Sequence, residues 1–195
     1  MLFVPRRAVT VGQNLSMNDI DARLANMLAT RDNARDPKDF FLDLADLVAR
    51  GAAESLGRQV DEIGILIAGT DGKYLRFVAP RKLCDLGTIP TTKRDSIAVG
   101  VFTRKTGEAN NNVPLVRHVA FFESVKVTEK VLPIMKMVTV PIIADGQVIG
   151  IAQVSKKGDN LMEAGPDFSN ADVRKVTEYF DSKAGFLLAA RPERF

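Results

Sequence analysis

The chain of 195 residues contains one histidine, His118, and one cysteine, Cys84. A hydrolytic triad needs a nucleophile beside a base, which is commonly a histidine, and no nucleophile-elbow pattern surrounds His118. The sequence also lacks a glycine-rich phosphate loop, a dinucleotide-binding fingerprint and the ligand spacing of a metal site. A single cysteine excludes an internal disulfide. These features predict a protein that is not an enzyme, with no catalytic residue, no metal site and no cofactor.

The composition predicts one compact domain with a sizeable core, because 46% of the residues are hydrophobic and 26% are charged. The net charge of +3 is scattered along the chain. A nucleic-acid-binding protein usually carries a clustered basic face, so we expect no nucleic-acid partner. No apolar run reaches membrane-spanning length, and the apolar run at the start of the chain is too short for the hydrophobic region of a signal peptide. We therefore expect a cytoplasmic protein without membrane contact.

Residues 137–157 form the clearest structural signal of the sequence, because two β-rich runs flank Asp145-Gly146. Asp-Gly between apolar runs predicts a tight hairpin, since both residues tolerate positive φ. Both faces of this hairpin are largely apolar, which favours central strands. Pro141 cannot donate a ladder hydrogen bond, so we expect a bulge or a bend there. One face is expected to comprise Val138, Val140, Ile142 and Ala144 with Val148, Gly150 and Ala152.

Hydrophobic periodicity and capping residues predict the remaining elements. The predicted helices are residues 17–30, residues 37–56 after Asp36, residues 97–105 after Ser96, a short helix at 114–123, and a last helix capped by Ser169 or Asn170. The predicted strands are residues 62–68, 74–79 and 108–113, with a long loop at 80–94. This order predicts an α+β fold, with a central antiparallel sheet of about five to six strands and helices on its faces. The N- and C-terminal helices are expected to pack together.

The hairpin sequence Pro-Ile-Ile-Ala-Asp-Gly-Gln-Val-Ile-Gly-Ile-Ala-Gln-Val resembles the signature hairpin of GAF domains, which are small-molecule sensor modules. The stretch from Val99 through Thr106-Gly107-Glu108 resembles the helix and strand that precede it in that family. The likeness is closest to the GAF domains of cyclic-nucleotide phosphodiesterases and adenylyl cyclases. It implies a single GAF-like domain over residues 37–195, preceded by an N-terminal arm and helix over residues 1–36.

Phosphodiesterase-type GAF domains also carry an Asn-Lys…Phe…Asp-Glu motif, which corresponds here to Ser155, Lys156, Phe168, Asp172 and Val173. The lysine, the phenylalanine and the aspartate are kept, whereas the asparagine and the glutamate are replaced. By this resemblance, Lys156 and Asp172 are expected to form a structural salt bridge between the hairpin and the last helix.

The GAF layout implies a ligand cleft between the sheet and residues 110–135. Its ligand would need an apolar face for a purine and donors for a phosphate, which the N-terminus of the helix after Ser96 could supply. Each phenylalanine that could line this cleft is more often a core residue than a ligand contact. The candidate ligand-binding residues are Arg76, Phe77, Ile97, Val99, Gly100, Asn111, His118, Phe121, Thr128, Lys136 and Thr139.

Two enzymatic or pigment-binding GAF classes fit the cysteine content poorly. One class reduces free methionine sulfoxide and relies on several cysteines, whereas this chain has Cys84 alone. Bilin-binding GAF domains attach their pigment through a cysteine that often neighbours a histidine, and Cys84 is distant from His118 in sequence.

The resemblance therefore predicts a stand-alone sensory module that binds a small ligand, with cAMP and cGMP as candidates, and signals to a partner protein. We expect a homodimer through the first and last helices of the domain. The apolar stripe of residues 40–56 predicts either burial between the sheet and a neighbour or contact with a second subunit, and Tyr179 and Phe186 indicate a second contact surface. The alternative is a dimerisation or protein-interaction module whose pocket is filled, which the lost asparagine and glutamate favour.

Overall fold

The structure, a computed structural model, describes residues 17–32, 35–85, 87–116 and 132–193. Within these ranges lie four helices: α1 (Met17–Ala29), α2 (Pro37–Leu56), α3 (Ile97–Arg104) and α4 (Asn170–Ala190). The same ranges contain six strands: β1 (Ile63–Ala68), β2 (Tyr74–Ala79), β3 (Thr88–Pro90), β4 (Glu108–Asn110), β5 (Ile134–Ala144) and β6 (Gln147–Lys157). All neighbouring strands pair antiparallel in one sheet of order β3-β2-β1-β6-β5-β4. The predicted α+β architecture is confirmed.

The helix boundaries follow the capping residues that the sequence indicates. The Asp36 side chain accepts a hydrogen bond from the Lys38 backbone N–H at 2.7 Å, and Pro37 occupies the first turn. Gly57 ends α2 with a left-handed φ of 61°, which glycine adopts without strain. At α4, Ser169 is the cap and forms a reciprocal capping box with Asp172.

The β5–β6 hairpin turns at Asp145 and Gly146, whose φ angles of 51° and 75° are both positive. The pairing is irregular between Ile142 and Ile143, which lie directly after Pro141. Ile142 pairs with Gly150 and Ile143 with Val148, so Ile149 is the extra residue of a bulge. Ile149 consequently packs into the core beneath α2 and α4, whereas Val148 packs on the other face. The expectation that Val148 continues the face of Val138 is wrong, because Val148 pairs with Ile143, which points to the other face. The bulge brings Gly150 and Ala152 onto the face of Val138.

The larger hydrophobic core lies between one face of the sheet and the helices α2 and α4, and α1 packs on those two helices. Ile20 and Leu24 of α1 are fully buried there. The hydroxyl of Tyr179 donates to the backbone oxygen of Val48 at 3.0 Å. A Cβ on Gly51 would lie 2.5 Å from that hydroxyl, so the close approach of α4 to α2 requires glycine.

This packing accounts for the broad apolar stripe of α2 within a single chain. The sheet, α4 and α1 together cover the stripe, as the first of the two alternatives for this helix predicts. Tyr179 and Phe186 belong to the same core, Tyr179 buried and Phe186 partly buried. The sequence indicated a second contact surface at these two residues. At Tyr179, that surface is covered by α2 of the same chain.

Three connecting segments differ from expectation. The predicted loop at 80–94 contains β3, because Ile89 buries its side chain and Leu75 pairs with it at the sheet edge. The strand predicted at 108–113 ends at Asn110, whose side chain accepts a hydrogen bond from the Asn112 N–H and turns the chain. The helix predicted at 114–123 begins as a 3-10 turn, Val113–Leu115, and its remainder from residue 117 lies outside the described residues.

Candidate functional site

Helix α3 packs on the face of the sheet opposite α2 and α4. Its residues Ala98, Val99 and Val101 join a second hydrophobic cluster with residues of β1, β2, β3 and β6. Phe77 and Val99 are 3% and 2% exposed, so both are packed core residues in the described structure. Of the predicted ligand contacts, these two therefore serve to hold α3 on the sheet.

The N-terminal half of α3 borders an open recess of about 320 Å³. Ser96 caps the helix by accepting a hydrogen bond from the Val99 N–H at 3.5 Å, which leaves Ile97 and Gly100 facing the recess. Both of these residues are among the predicted ligand contacts. The recess is lined by Arg94, Asp95, Ser96, Ile97, Gly100, Arg104, Glu108 and Val116.

Two polar side chains are buried in the sheet beside this recess. Glu108 of the recess pairs with Thr139, and Thr139 pairs with Gln153, which in turn pairs with Gly64. Thr139 and Gln153 are 1% and 4% exposed, and their side chains contact each other at 3.5 Å between Nε2 and Oγ1. That distance is long for a hydrogen bond, so this contact between the two side chains is a weak one.

Gly64 leaves space above this polar pair on the α3 face. A Cβ placed on Gly64 would lie 3.6 Å from the Cβ of Gln153 and 3.7 Å from a ring carbon of Phe77, which are ordinary contact distances. Phe77 belongs to the α3 cluster, so the missing side chain and the Gln153 side chain share that face. Sequence analysis identified Thr139 but did not identify Gln153, Arg94 or Glu108.

Three predicted ligand contacts do not line the recess, and two of them have structural roles elsewhere. The Asn111 amide donates to the Phe168 backbone oxygen at 3.0 Å and accepts from the Phe168 N–H at 2.8 Å. The Lys136 ammonium donates to the Gly165 backbone oxygen at 2.6 Å and to the Asp167 carboxylate at 2.7 Å. Arg76 pairs with Ile67, which faces α2 and α4, so Arg76 lies on the opposite side of the sheet from the recess.

Asn111 and Lys136 are thus bonded to the segment that precedes α4, whereas strand alternation places Arg76 on the other side of the sheet. His118, Phe121 and Thr128, the other predicted ligand contacts, lie outside the described residues.

The predicted Lys156–Asp172 pair also has a different geometry. The Lys156 ammonium donates to the Pro166 backbone oxygen at 2.6 Å and lies 4.1 Å from the ring centroid of Phe168. The Asp172 carboxylate instead accepts from the Ser169 backbone N–H and hydroxyl, both at 2.7 Å. Asp172 therefore caps its own helix rather than forming the expected ion pair, and the hairpin is tied to the loop through Lys156.

The pKa values of both groups follow from these contacts. The hydrogen bond from the Ser169 N–H lowers the pKa of Asp172, and burial lowers the pKa of Lys156.

Asn111→Ala is expected to lower the free energy of unfolding by about 1–3 kcal/mol, because it removes both hydrogen bonds to the buried backbone of Phe168. Urea denaturation followed by circular dichroism measures this. Asn112→Ala is the matched control, since the Asn112 side chain makes no cap hydrogen bond in the adjoining turn. Equal stability of the two variants would contradict the assigned role of Asn111.

The environment of Cys84 does not favour nucleophilic chemistry at its thiol. Cys84 is buried, and this burial raises the pKa of its thiol, which disfavours the nucleophilic thiolate. In the part of the chain that the structure describes, no group of three or more histidine, cysteine, aspartate or glutamate residues is placed to hold a metal ion. No helix among the described residues is both long and apolar enough to span a membrane.

Comparison with known proteins gives matches among solved structures only. No family model matches the sequence, and no curated protein matches it significantly. The GAF domain of a phosphoenolpyruvate-protein phosphotransferase from Coxiella burnetii is 16% identical, with a TM-score of 0.60 over 92% of this chain and 97% of that one. A segment of a methyl-accepting chemotaxis protein is 20% identical, with a TM-score of 0.59 over 88% of this chain and 96% of that one.

The free methionine-R-sulfoxide reductase from Neisseria meningitidis is also similar, at 13% identity and a TM-score of 0.52 over 94% of this chain and 93% of that one. These likenesses do not support the finer resemblance to the GAF domains of phosphodiesterases and adenylyl cyclases. At such low identity they establish a shared fold and leave the function open. Together with the single six-stranded antiparallel sheet, they show that this chain has the GAF fold.

Proposed function

We propose that this chain is a sensory module that binds a small molecule on the α3 side of its sheet. The observation that carries the proposal is the buried pair Thr139 and Gln153, which places two polar side chains on the sheet face next to the recess. Buried polar groups normally have good hydrogen-bond partners, and a 3.5 Å contact is a poor one. A ligand that offered a donor and an acceptor to these side chains would satisfy them.

The size of the recess agrees with this proposal. Ligand pockets usually measure about 300–1,000 Å³, and the recess, at about 320 Å³, lies at the small end of that range. Cyclic nucleotides are the ligands implied by the family resemblance. Their phosphate could meet Arg94 and the N-terminus of α3. The described residues of the recess include no aromatic side chain that could stack on their purine.

The likeness to a methionine sulfoxide reductase raises an enzyme as a different candidate. An internal disulfide cannot form in this chain, because Cys84 is its only cysteine. Burial raises the pKa of Cys84 and so disfavours its reactive form. These observations favour binding over redox catalysis.

A protein-interaction module is the second candidate function, and the packing of Phe77 and Val99 favours it. Both residues fill space where a deeper cleft would need to open. Signalling through a homodimer and onward to a partner protein is part of our proposal for either function. A dimer would use surfaces of α2 and α4 other than the stripes that the core already buries.

A thermal-shift screen tests the proposed function directly. We expect at least one compound from a panel of cAMP, cGMP, free amino acids and small organic acids to raise the melting temperature at millimolar concentration, because a ligand that binds the folded state stabilises it. Gln153→Leu should abolish that shift. Gln147→Leu is the control, since Gln147 is exposed at the hairpin turn.

A panel without any stabilising compound would overturn the sensory proposal and leave the interaction module. Loss of the shift in both glutamine variants would place the ligand elsewhere.

A further inference from the structure

Among the residues that the structure describes, the side chains lining the recess carry two positive and two negative charges, and this mixture of charges indicates the kind of ligand. We propose that the recess binds a free α-amino acid with a small apolar side chain, as a zwitterion. This inference rests on the proposed function, because it names the chemical class of the ligand at that same site.

The four charges come in two neighbouring pairs around the opening. Arg94 and Asp95 are adjacent in sequence, exposed, and directly precede the cap of α3. Arg104 and Glu108 form an ion pair at the other end of the helix, with side chains 56% and 38% exposed. Both ends of the recess therefore offer a cation beside an anion.

Gly100 allows the second pair to reach the recess. A Cβ on Gly100 would lie 3.0 Å from a guanidinium nitrogen of Arg104, so the guanidinium lies close over the bare backbone of α3. Arg104 thus folds back along its helix instead of extending into solvent. With any larger residue at this position, the guanidinium would have to move away.

A zwitterion matches this arrangement better than a singly charged ligand. The two arginines attract a carboxylate. A ligand that carries only negative charge is also repelled by Asp95 and Glu108. An ammonium on the same ligand turns these two carboxylates into partners.

The uncharged residues of the lining determine which ligand side chain would fit the recess. Ile97, Gly100 and Val116 present a small apolar surface between the charged pairs. The described lining includes no aromatic residue that could stack on a purine. The volume of about 320 Å³ is sufficient for an aliphatic amino acid.

Isothermal titration calorimetry of the full chain with leucine, valine, isoleucine, alanine and methionine tests the inference. Leucine is compared with its singly charged analogues, 4-methylpentanoate and 3-methylbutylamine, and with cAMP. We expect at least one of the amino acids to bind, and its two singly charged analogues to bind at least about ten-fold more weakly. Arg94→Gln and Asp95→Asn should each weaken amino-acid binding by about ten-fold, whereas Lys93→Gln, next to the recess but outside its lining, should not.

Three results would overturn the inference. One is binding of an analogue as tight as that of its amino acid, and another is amino-acid binding that Arg94→Gln and Asp95→Asn leave unchanged. The third is no heat with any of the amino acids. If cAMP or an organic acid binds in that last case, the sensory proposal survives and only the ligand class is wrong. If nothing in either panel binds, both proposals fail.

Discussion

Gly150→Ala is expected to lower the free energy of unfolding by about 3 kcal/mol, the upper end of the usual cost of overpacking a core. Gly150 lies in the middle of the sheet, where it pairs with Ile67 on β1 and Ile142 on β5. A Cβ at this position would lie 2.3 Å from the backbone oxygen of Leu66 and 2.9 Å from Cδ1 of Ile67. The obstructing oxygen belongs to a paired central strand, so the strand itself would have to move.

Equilibrium denaturation in urea measures this effect, and Gly185→Ala is the matched control. Gly185 lies in α4 with no atom within 4 Å of its hypothetical Cβ, so alanine there should raise stability by about 0.5–1 kcal/mol through helix propensity. An unchanged midpoint for Gly150→Ala would show that β1 and β6 are not packed as closely as described.

Lys183→Ala is expected to lower the free energy of unfolding by about 2–4 kcal/mol, because it removes a fully buried side chain and one partner of an ion pair. The Lys183 ammonium lies 2.6 Å from the carboxylate of Asp21 on α1 and 5.2 Å from the ring centroid of Tyr179. Its contact with Asp21 is an ion pair without the alignment of a hydrogen bond. The Asp21 side chain is 40% exposed, so water would lessen the cost of leaving it alone.

Lys183→Met separates packing from charge in this experiment. Methionine keeps most of the buried volume, and water can solvate the remaining Asp21 carboxylate because its side chain is 40% exposed, so we expect a loss of less than about 1.5 kcal/mol. Lys175→Ala, on the exposed side of the same helix, should change stability by less than about 0.5 kcal/mol. If Lys183→Met were as destabilising as Lys183→Ala, the charge of Lys183 rather than its volume would hold α1 in place.

Local signals in the sequence were sufficient to predict most elements and their order. Capping and turn residues act on the backbone within a few residues, so their effect can be predicted without tertiary information. The examples here are Asp36, Gly57, Ser169 and the turn Asp145-Gly146. The same is true of the hairpin's resemblance to GAF domains, which lies in one continuous stretch. Of the candidate site, the sequence indicated Ile97 and Gly100, because the helix that carries them has a local cap at Ser96.

The pairing of Thr139 with Gln153 depended on a feature that the sequence did not specify. A regular hairpin with Ala144 opposite Gln147 would place Ala152 opposite Thr139, and the extra residue Ile149 moves Gln153 there instead. The sequence predicted a bulge or a bend near Pro141, but it did not indicate which strand would carry an extra residue. The shift of Gln153 relative to Thr139 could therefore not be predicted.

Long-range packing decided the roles of the remaining side chains. Asn111 bonds to Phe168 across 57 residues of sequence, and Lys136 to Gly165 across 29, so composition alone could not separate these structural groups from ligand contacts. Tertiary structure likewise covers α2 with α1 and α4. By itself, the sequence determined which segments become helices and strands, because capping and periodicity are local. Only the folded chain decided which polar groups are used up by its own backbone and which remain beside the recess.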